Sequence, residues 1–547
     1  MEDIRPLVRL YSLANAVEHD GVAVENSVLG KILGDKPEHR ARVQELRSLV
    51  EEEVNKVNAL SLGKQQQELD DGGYVKEEKK EEKKELSELD VDRRGFIVRF
   101  APNPDGALHL GNARPALLSD EYAKKYGGKF ILRFDDTDPK IKVPEKRFYS
   151  WIREDLKWLG IKVHKEVISS SRLPIYYKHA ADLISKDAAY VCTCGDAWKT
   201  ARDSGKACPC RSLDRKENAK RWKAMLSHKY KEGEAVLRIK TDIEAKNPAT
   251  RDWPAVRIVD NPIHPLKKAH VWPLYNFASA IDDHLLEITH IFRGQEHSTN
   301  EAKQRYLYEH MGWKYPEVII LGRFSMSDMV LSKSEIRAGI EKGDIQGWDD
   351  PKVGTLRSLR RRGFLPEALR KIVMEVGARP NDITISTENL AAYNRKMVDA
   401  TAPRFFFVSE PKPIMLKGNV KKTVSAKIHP AKEARRTIVI GNKIYVEKED
   451  FDKYKDLEVR LKDFCNVKLA DMAEVTGYDI KPTPKIHWVP EKSVTVRVIT
   501  ATGTITGVGE RNILKAKKGQ VVQFERFGFV RIENKEKSSV DCIFAHE

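Results

Sequence analysis

The stretch RFAPNPDGALHLGNARP, residues 99–115, decides how the central part of this chain folds. It overlaps the short apolar strand FIVRFA and leads into a helix-forming segment that ends at Gly127-Gly128. The apolar stretch KFILRF then predicts a second strand, which ends in the acidic run DDTD, residues 135–138. Strand, turn, helix and strand make one right-handed βαβ unit of a parallel sheet. Ligands of such sheets bind beyond the carboxyl ends of the strands, where the turn and the acidic run both lie.

The turn itself is suited to binding an anion, because it offers backbone N–H groups at the N-terminus of a helix. It has neither the Gly-Lys-Ser/Thr of a Walker A loop nor the spacing of a GxGxxG loop. His109 can donate a hydrogen bond to a phosphate without the fixed charge of a lysine. A histidine that only caps a tight turn is the alternative interpretation.

A second segment, Leu331-Ser332-Lys333-Ser334, follows the predicted strand VIILG in a polar loop. A lysine between small hydroxyl residues can move onto phosphate oxygens as negative charge develops there. Taken alone, such a segment is typical of a solvated loop. The segment lies in the second half of a split sheet, after His109 in the chain. This position favours one phosphate ligand that contacts both His109 and Lys333.

The rest of the chain divides by pattern and composition. Residues 1–62 predict a helical N-terminal extension, because Leu7, Leu10, Leu13 and Val17 recur at helical spacing. Residues 63–93, with QQQELDDGG and EEKKEEKKE, predict a charged linker. The further predicted regions are the first half of the sheet at 94–186, an insertion at 187–272, the second half of the sheet at 273–340, a helical region at 341–402 and β-barrels at 403–547.

The composition indicates which binding partners and which cellular compartment to expect. A formal net charge of +16 over 547 residues favours a polyanion such as nucleic acid, with a solvated basic surface as the alternative. The chain has no run of eighteen apolar residues, and MEDIRPLVRL lacks the order of a signal peptide. We therefore expect a cytoplasmic protein with no membrane partner.

Four of the six cysteines form two C-x-C pairs. Four thiolates can close a tetrahedral structural zinc site, although C-x-C is tighter than the usual spacing. A disulfide framework is the alternative, and it fits a reducing compartment poorly. The predicted zinc ligands are Cys192, Cys194, Cys208 and Cys210, whereas Cys465 and Cys542 are expected to be ordinary buried thiols.

These motifs resemble those of a known family. HLGN looks like the HIGH motif, and VLSKS like the KMSKS motif, of class I aminoacyl-tRNA synthetases. RFAPNPDGALHLGNAR with RFDDTDP is similar to the glutamyl/glutaminyl branch. The similarity runs from about residue 96 to the end, through NPATRDWPAVRI, YNFASAIDDHLLEITHIFRGQEH, GWDDPKVGTLRSLRRRGF and NRKMVDATAPRFF. It is strongest to the archaeal form of the glutamyl enzymes.

The resemblance implies a multidomain fold of α/β and all-β parts. A Rossmann-type core would carry an inserted acceptor-stem-binding domain, a helical connecting domain and C-terminal β-barrels that bind the anticodon. The implied activity is that of a glutamate–tRNA ligase, with ATP, Mg²⁺ and L-glutamate as reactants and tRNA(Glu) as acceptor. The resemblance also implies that activation of glutamate depends on bound tRNA. A glutaminyl enzyme and a non-catalytic tRNA-binding homologue remain alternatives, tRNA(Gln) stays open as a second acceptor, and we expect a monomer.

The resemblance also assigns site residues. His109 and Lys333 would be catalytic, and Asp135 would accept the α-ammonium group of the amino acid. Two arginines suit a substrate with two carboxylates. The implied ATP-binding residues are His109, Gly111, Asn112, Leu331, Ser332, Lys333 and Ser334. The implied glutamate-binding residues are Arg99, Ala101, Asn103, Asp135, Tyr275, Ser279 and Arg293.

The chain departs from the family motifs at two positions. Asn112 stands at the last position of HIGH, and Val330 replaces the first lysine of KMSKS. Lys333 is therefore the one cation expected from that loop. Asp138 stands where the glutaminyl branch has asparagine, which favours glutamate. A basic helical segment is expected to contact tRNA phosphates, with a solvated helix face as the alternative, through Arg357, Arg360, Arg361 and Arg362.

Overall fold

The computed structural model describes residues 4–18, 21–72, 86–91 and 95–547. The chain divides into two units, residues 1–83 and 84–547. The first unit is a helical bundle in which apolar residues at helical spacing, among them Val8, Ile32 and Val50, are buried. Its helices are α1 (Arg5–Glu18), α2 (Glu25–Asp35), α3 (Val43–Asn58) and α4 (Leu62–Asp71).

Two stretches of the predicted linker 63–93 are ordered parts of the fold. Helix α4 covers its start, where Gln65 and Leu69 are buried and the Gln65 amide donates to backbone carbonyl oxygens. Residues 86–91 pack on the core of the second unit through Leu86, Leu89 and Val91. The linker prediction is wrong for these stretches, because apolar residues spaced among the charges find partners to pack against. The remainder of the linker prediction, at 73–85 and 92–93, lies outside the described residues.

The second unit is organised around a parallel sheet with strand order β3-β2-β1-β8-β9. Helix α5 follows β1 and packs on the sheet through Leu117 and Leu118. Pro115 lies at the sixth residue of this helix, beyond its first turn. The elements of the first half are β1 (Ile97–Phe100), α5 (Leu110–Lys125), β2 (Lys129–Phe134), α6 (Lys146–Trp158), β3 (Lys165–Ile168) and α7 (Leu173–Ser185).

A separate antiparallel sheet, β4-β5-β6-β7, interrupts the parallel one between β3 and β8. Trp253 and Trp272 are fully buried in its core. This part consists of β4 (Ala189–Cys192), α8 (Ala197–Asp203), α9 (Arg215–Leu226), β5 (Val236–Ile239), β6 (Pro254–Ile258) and β7 (Val271–Pro273).

The parallel sheet is completed after this insertion, and a mainly helical region follows. A short parallel pair, β10 and β11, ties the two together. The elements are α10 (Tyr275–Leu285), β8 (His290–Gly294), α11 (Ser298–Met311), β9 (Glu317–Leu321), β10 (Phe324–Met326), α12 (Lys333–Lys342), α13 (Leu356–Arg362), α14 (Pro366–Val376), β11 (Ile383–Ile385) and α15 (Thr387–Val398).

Two curled sheets make up the C-terminal part. In one, with order β12-β25-β26-β27-β23-β24-β13, the edge strands are separated in sequence only by Phe406, so the two edges must meet. In the other, with order β21-β18-β19-β20-β14-β17-β22, only His487 separates the edge strands. Joined edges close a sheet into a barrel.

The predicted fold class, an α/β core with all-β C-terminal barrels and a helical N-terminal region, is confirmed. No helix in the described ranges combines the length and apolarity needed to cross a membrane. The C-terminal elements are β12 (Arg404–Phe405), β13 (Phe407–Val408), β14 (Pro411–Lys417), β15 (Thr423–Lys427), β16 (Arg435–Val439), β17 (Lys443–Glu447), α16 (Lys448–Tyr454), β18 (Glu458–Leu461), β19 (Asn466–Lys468), β20 (Met472–Gly477), β21 (Lys485–Ile486), β22 (Trp488–Pro490), β23 (Ser493–Ile499), β24 (Thr504–Glu510), β25 (Val521–Phe524), β26 (Gly528–Lys535) and β27 (Ser539–His546).

Candidate active site

A cavity of about 540 Å³ opens at the carboxyl ends of the central parallel strands. Strands β1 and β8 are neighbours in that sheet, so residues that end or follow them meet at one edge. The predicted site residues that line the cavity are Arg99, Ala101, His109, Gly111, Asn112, Tyr275, Arg293, Leu331 and Ser332. The predicted site residues outside its lining are Asn103, Asp135, Ser279, Lys333 and Ser334.

The HLGN segment forms the first turn of α5. His109 is the N-cap residue with an extended backbone, and its N–H donates to Asn112 Oδ1 at 3.1 Å. Asn112 thereby serves the turn as well as the cavity wall. A Cβ on Gly111 would lie 2.9 Å from both His109 Cε1 and the carbonyl oxygen of Phe324, so this position needs glycine.

The His109 imidazole is uncharged at neutral pH. Burial and, to a lesser extent, the nearby Lys333 ammonium lower the pKa of His109 to about 4. His109 Nδ1 is buried and has no hydrogen-bond partner within the described chain. The ring therefore offers a neutral hydrogen-bonding group to a ligand in the cavity, as the sequence suggested for a turn without a lysine.

The VLSKS segment is half loop and half helix. Ser332 caps α12 by accepting from the Glu335 N–H at 3.4 Å, and Lys333 is the first helical residue. Leu331 and Ser332 line the cavity, but the Lys333 ammonium donates to Asp105 Oδ1 at 2.6 Å and to the Asn103 carbonyl at 3.3 Å. The expected position of Lys333 in the cavity wall is therefore not observed, because a carboxylate outside the cavity binds it.

The far wall of the cavity carries a guanidinium with free donors. Arg293, at the end of β8, is 4% exposed and donates through Nη2 to Gln304 Oε1 at 3.2 Å. Its Nε and Nη1 are buried without a hydrogen-bond partner among the described residues. Burying such donors unpaired is costly, so Arg293 is the group best placed to receive a carboxylate.

A buried ion network supports this wall. Arg99 donates to Asp283 at 3.1 Å, and the fully buried Arg133 donates to both Asp283 and Asp135. Burial raises the pKa of Asp283, but Arg133 and Arg99 outweigh it and leave that pKa below its ordinary value. The network holds Arg99 in the cavity wall.

Three predicted glutamate-binding residues lie behind or beside the cavity. Asp135 accepts from Arg133 Nε at 2.7 Å, and burial raises the pKa of Asp135. Ser279 Oγ accepts from Arg133 at 2.8 Å, while the Asn103 amide donates to the Lys142 carbonyl at 3.1 Å. Asp135 and Ser279 therefore support Arg133 from outside the cavity lining, and their direct contact with glutamate stays a prediction.

Four cavity-lining residues with ionisable side chains were not predicted from the sequence: Arg114, Glu296, His297 and Arg323. Arg114 is buried in α5 and donates to the carbonyl oxygens of Gly322, Gly377 and Arg379. It thus fixes the cavity wall that follows β9. An arginine inside the apolar face of α5 was the available sequence signal.

The insertion brings its four cysteines together. Cys192 Sγ lies 3.8 Å from Cys208 Sγ, and Cys194 Sγ lies 3.5 Å from Cys210 Sγ. Sulfurs at about 2.3 Å from a tetrahedral zinc ion are about 3.8 Å apart, so the spacing suits such an ion. A hydrogen bond from Cys192 holds the pKa of Cys208 below its ordinary value. The sulfurs of Cys192, Cys194 and Cys208 all lie within 4.8 Å of one another, so these three thiols could hold a metal ion.

The basic segment of α13 is divided between surface and interior. Arg360 is exposed, whereas Arg357 bonds Glu154 at 2.8 Å and Arg361 bonds Glu533 at 3.2 Å. Arg362 is buried and donates to the carbonyl oxygens of Phe544 and Ala545 in β27. Burial lowers the pKa of Arg362 to about 10. The predicted phosphate contact is corrected for Arg362, which joins α13 to the barrel.

Family models match most of the chain. A model described as the catalytic domain of class I tRNA synthetases (E and Q) matches residues 96–400. Two models described as anti-codon binding domains of the same synthetases match residues 402–483 and 485–533.

Relatives that match over the full length are identical to this chain at about half of the aligned positions. The glutamate–tRNA ligase of Pyrococcus furiosus is 50% identical over 574 residues, covering 100% of both chains. The glutamate–tRNA ligases of Pyrococcus abyssi and Thermococcus kodakarensis are each 49% identical, over 571 and 573 residues, again with 100% of both chains covered.

Proposed function

The chain belongs to the class I tRNA synthetases for glutamate and glutamine, and from this premise we propose how its cavity works. It is an ATP-dependent glutamate–tRNA ligase. The assignment depends on sequence identity of 49–50% to glutamate–tRNA ligases over the full length of the chain. The convergence of His109, Arg99 and Arg293 on one cavity supports the same conclusion.

The reaction needs positioning and charge stabilisation more than a protein nucleophile. The glutamate α-carboxylate attacks the α-phosphorus of ATP, which gives glutamyl-adenylate and releases pyrophosphate. A terminal-adenosine hydroxyl of the tRNA then attacks the acyl carbon, and AMP leaves. Neutral His109 donates a hydrogen bond to phosphate oxygen, and Lys333 adds positive charge there. Mg²⁺ bound with ATP would neutralise charge on the pyrophosphate.

Glutamate is held by the arginine wall. The two unpaired donors of Arg293 bind one carboxylate of the substrate, and Arg99, held by Asp283, faces the other. Tyr275 and Ala101 complete the lining around the amino acid. Glutamine lacks the second carboxylate and leaves an arginine without its partner, which penalises the wrong amino acid.

The acceptor binds along the rest of the second unit. The exposed Arg360 and the barrels that the anti-codon models match contribute phosphate and base contacts to tRNA(Glu). Four thiolates of the insertion hold a structural zinc ion, which ties metal binding to the folding of that domain. The enzyme acts as a cytoplasmic monomer. Aminoacylation assays with purified tRNA(Glu) and tRNA(Gln) determine whether tRNA(Gln) is a second acceptor.

ATP–pyrophosphate exchange in the presence of tRNA tests the substrate assignment. Glutamate should support exchange and glutamine should not. Arg293→Met should raise the KM for glutamate about 100-fold, because a buried charged hydrogen bond is lost. Arg305→Met removes the same charge from an exposed site on α11 and should leave the KM unchanged. Exchange driven by glutamine alone would contradict the proposal.

Metal content tests the zinc assignment separately. Mass spectrometry of the native protein should find one zinc ion per chain, and Cys208→Ser should lose it. Cys465→Ala changes a buried thiol outside the cluster and should retain the metal. A metal-free native protein, or a Cys208→Ser variant that keeps its zinc, would contradict the site.

A further inference from the structure

The ammonium group of Lys333 occupies a defined place beside the cavity. Lys333 Nζ lies 2.6 Å from Asp105 Oδ1 and 3.3 Å from the Asn103 carbonyl oxygen. Both partners belong to the turn that leads from β1 to His109. The side chains of Lys333 and Asp105 remain 25% and 18% exposed, so solvent and ligands can reach the pair.

The turn is shaped to receive the stem of this lysine. A Cβ on Gly106 would lie 2.9 Å from Lys333 Cδ and equally close to the Trp348 ring. Glycine at 106 therefore leaves the groove in which the lysine stem lies. The contact is thus a built position and not one of many equivalent surface rotamers.

Helix α12 is docked on the turn independently of the Asp105 carboxylate. Arg337 donates to the Asp105 backbone carbonyl at 2.6 Å and to Glu145 Oε1 at 2.8 Å. Ile336 is completely buried beneath the same helix. Loss of the Asp105 charge would therefore release the Lys333 ammonium and leave the helix in place.

The paired lysine is close to the nucleotide wall. Its neighbours Leu331 and Ser332 line the cavity, and its charge reaches the His109 ring. A triphosphate in that cavity offers several negative oxygens, whereas Asp105 offers one carboxylate. A partly exposed ion pair is weak enough for the phosphate to displace it.

We propose that Asp105 is a positioning residue that holds Lys333 beside the cavity until the triphosphate takes the ammonium from it. The proposal rests on the phosphate-binding role of Lys333 stated above. Asp105 competes with the triphosphate before the reaction and with pyrophosphate after it. It therefore weakens binding of both, and it favours release of the product.

The test is a double-mutant cycle on nucleotide binding. Calorimetry with α,β-methylene-ATP, glutamate and tRNA(Glu) measures the dissociation constant for the wild type, Asp105→Asn, Lys333→Ala and the double variant. Asp105→Asn should tighten binding about 3- to 10-fold, because the competing charge is gone. In exchange assays the same variant should lower the KM for ATP, strengthen inhibition by pyrophosphate and leave kcat no higher than that of the wild type.

The Lys333→Ala background isolates the proposed contact. There, Asp105→Asn should leave the dissociation constant unchanged, because no ammonium remains to be released. Unaltered or weaker binding by Asp105→Asn in the presence of Lys333 would overturn the inference, as would an equal change in both backgrounds. Asp105→Ser, compared by its thermal midpoint, provides a second variant should the asparagine disturb the turn.

The variants distinguish failure of the phosphate role of Lys333 from failure of the competition by Asp105. If Lys333→Ala alone reacts and binds like the wild type, the phosphate role of Lys333 is wrong and the inference is overturned with it. If Lys333→Ala is slow but Asp105→Asn shows no tighter binding, the role of Lys333 stands and only the competition by Asp105 is overturned.

Discussion

The two motifs at the nucleotide cavity, the HLGN turn and the VLSKS segment, are built differently. His109 is fixed in the first turn of α5, and its pKa of about 4 keeps it uncharged. Lys333 pairs with Asp105 in a partly exposed ion pair. A fixed neutral donor offers the same hydrogen bond throughout the reaction, whereas a lysine in an exchangeable pair adds charge only once it is displaced.

This contrast accounts for both departures from the family motifs. Asn112, in place of the last histidine, uses its amide oxygen to accept from the His109 N–H, so it stiffens the neutral side. Val330, in place of the first lysine, forms a backbone bridge with Val353 and packs against an apolar cluster. The VLSKS segment thus keeps one lysine, Lys333, and the substituted residues Asn112 and Val330 belong to the packed structure around the two motifs.

Helix α13 shows the same division within one turn. Arg360 is an exposed cation free to meet phosphate, whereas Arg362 is enclosed and bonded to two carbonyl oxygens of β27. This basic run therefore contains both an exposed residue, which we propose contacts tRNA, and a structural residue. Burial and bonding distinguish them, and charge alone does not.

Removal of the Lys333 ammonium group should have the largest effect on the exchange reaction. Lys333→Ala should lower kcat for ATP–pyrophosphate exchange about 100- to 1000-fold, since one donor to developing charge is lost. Lys342→Ala, at the exposed end of the same helix, removes an equal charge and should leave kcat unchanged. A rate for Lys333→Ala within threefold of the wild type would contradict this contrast between the motifs, because the HLGN turn would then be sufficient without the lysine.

Substitutions in α13 should separate the two kinds of arginine. Arg362→Met should destabilise the protein by about 1–3 kcal/mol, since two buried carbonyl oxygens lose their donor, and should lower the thermal midpoint. Arg360→Met should leave the midpoint in place and reduce the salt dependence of tRNA binding by about one phosphate contact. Calorimetry and filter binding measure the two effects, and the reverse pattern would contradict the assignment.

The smallest effect is expected from pH. Because the folded pKa of His109 lies below its ordinary value near 6.5, protonation favours the unfolded chain between about pH 6.5 and 4. The contribution of neutral His109 to stability is complete above that window and is lost as pH falls through it. The rate of ATP–pyrophosphate exchange should therefore not fall near pH 6.5 because of His109. The profiles of the wild type and of His109→Gln should have the same shape in that range. A fall near pH 6.5 that disappears in His109→Gln would mean that the imidazole titrates normally and is not the fixed neutral donor.

Much of the site could be predicted from local sequence. The alternation of apolar strands with the HLGN turn and the DDTD run identified the sheet edge, because parallel strands bring their carboxyl ends together. His109 follows from that rule, whereas Arg99 and Arg293 were implied by the family resemblance, and the cavity contains all three. The insertion followed from the interrupted pattern of strands, and the grouping of its cysteines followed from their C-x-C spacing.

Contacts between distant segments could not be predicted this way. The ion pair of Lys333 with Asp105 joins residues 228 positions apart, and no local pattern encodes it. The Arg133 network likewise depends on three segments, in β1, at the end of β2 and in α10, that only folding assembles. The burial of Arg362, by contrast, had a signal: Leu356, Leu359 and Arg362 recur every three residues on one helix face.

The most direct test is a crystal structure of the protein with α,β-methylene-ATP, glutamate and tRNA(Glu). We expect the His109 ring and Lys333 Nζ to lie within about 3.5 Å of phosphate oxygens of one nucleotide, with Asp105 no longer bonded to the lysine. A nucleotide bound in the cavity while Lys333 stays on Asp105 would contradict the account, as would a nucleotide bound away from His109.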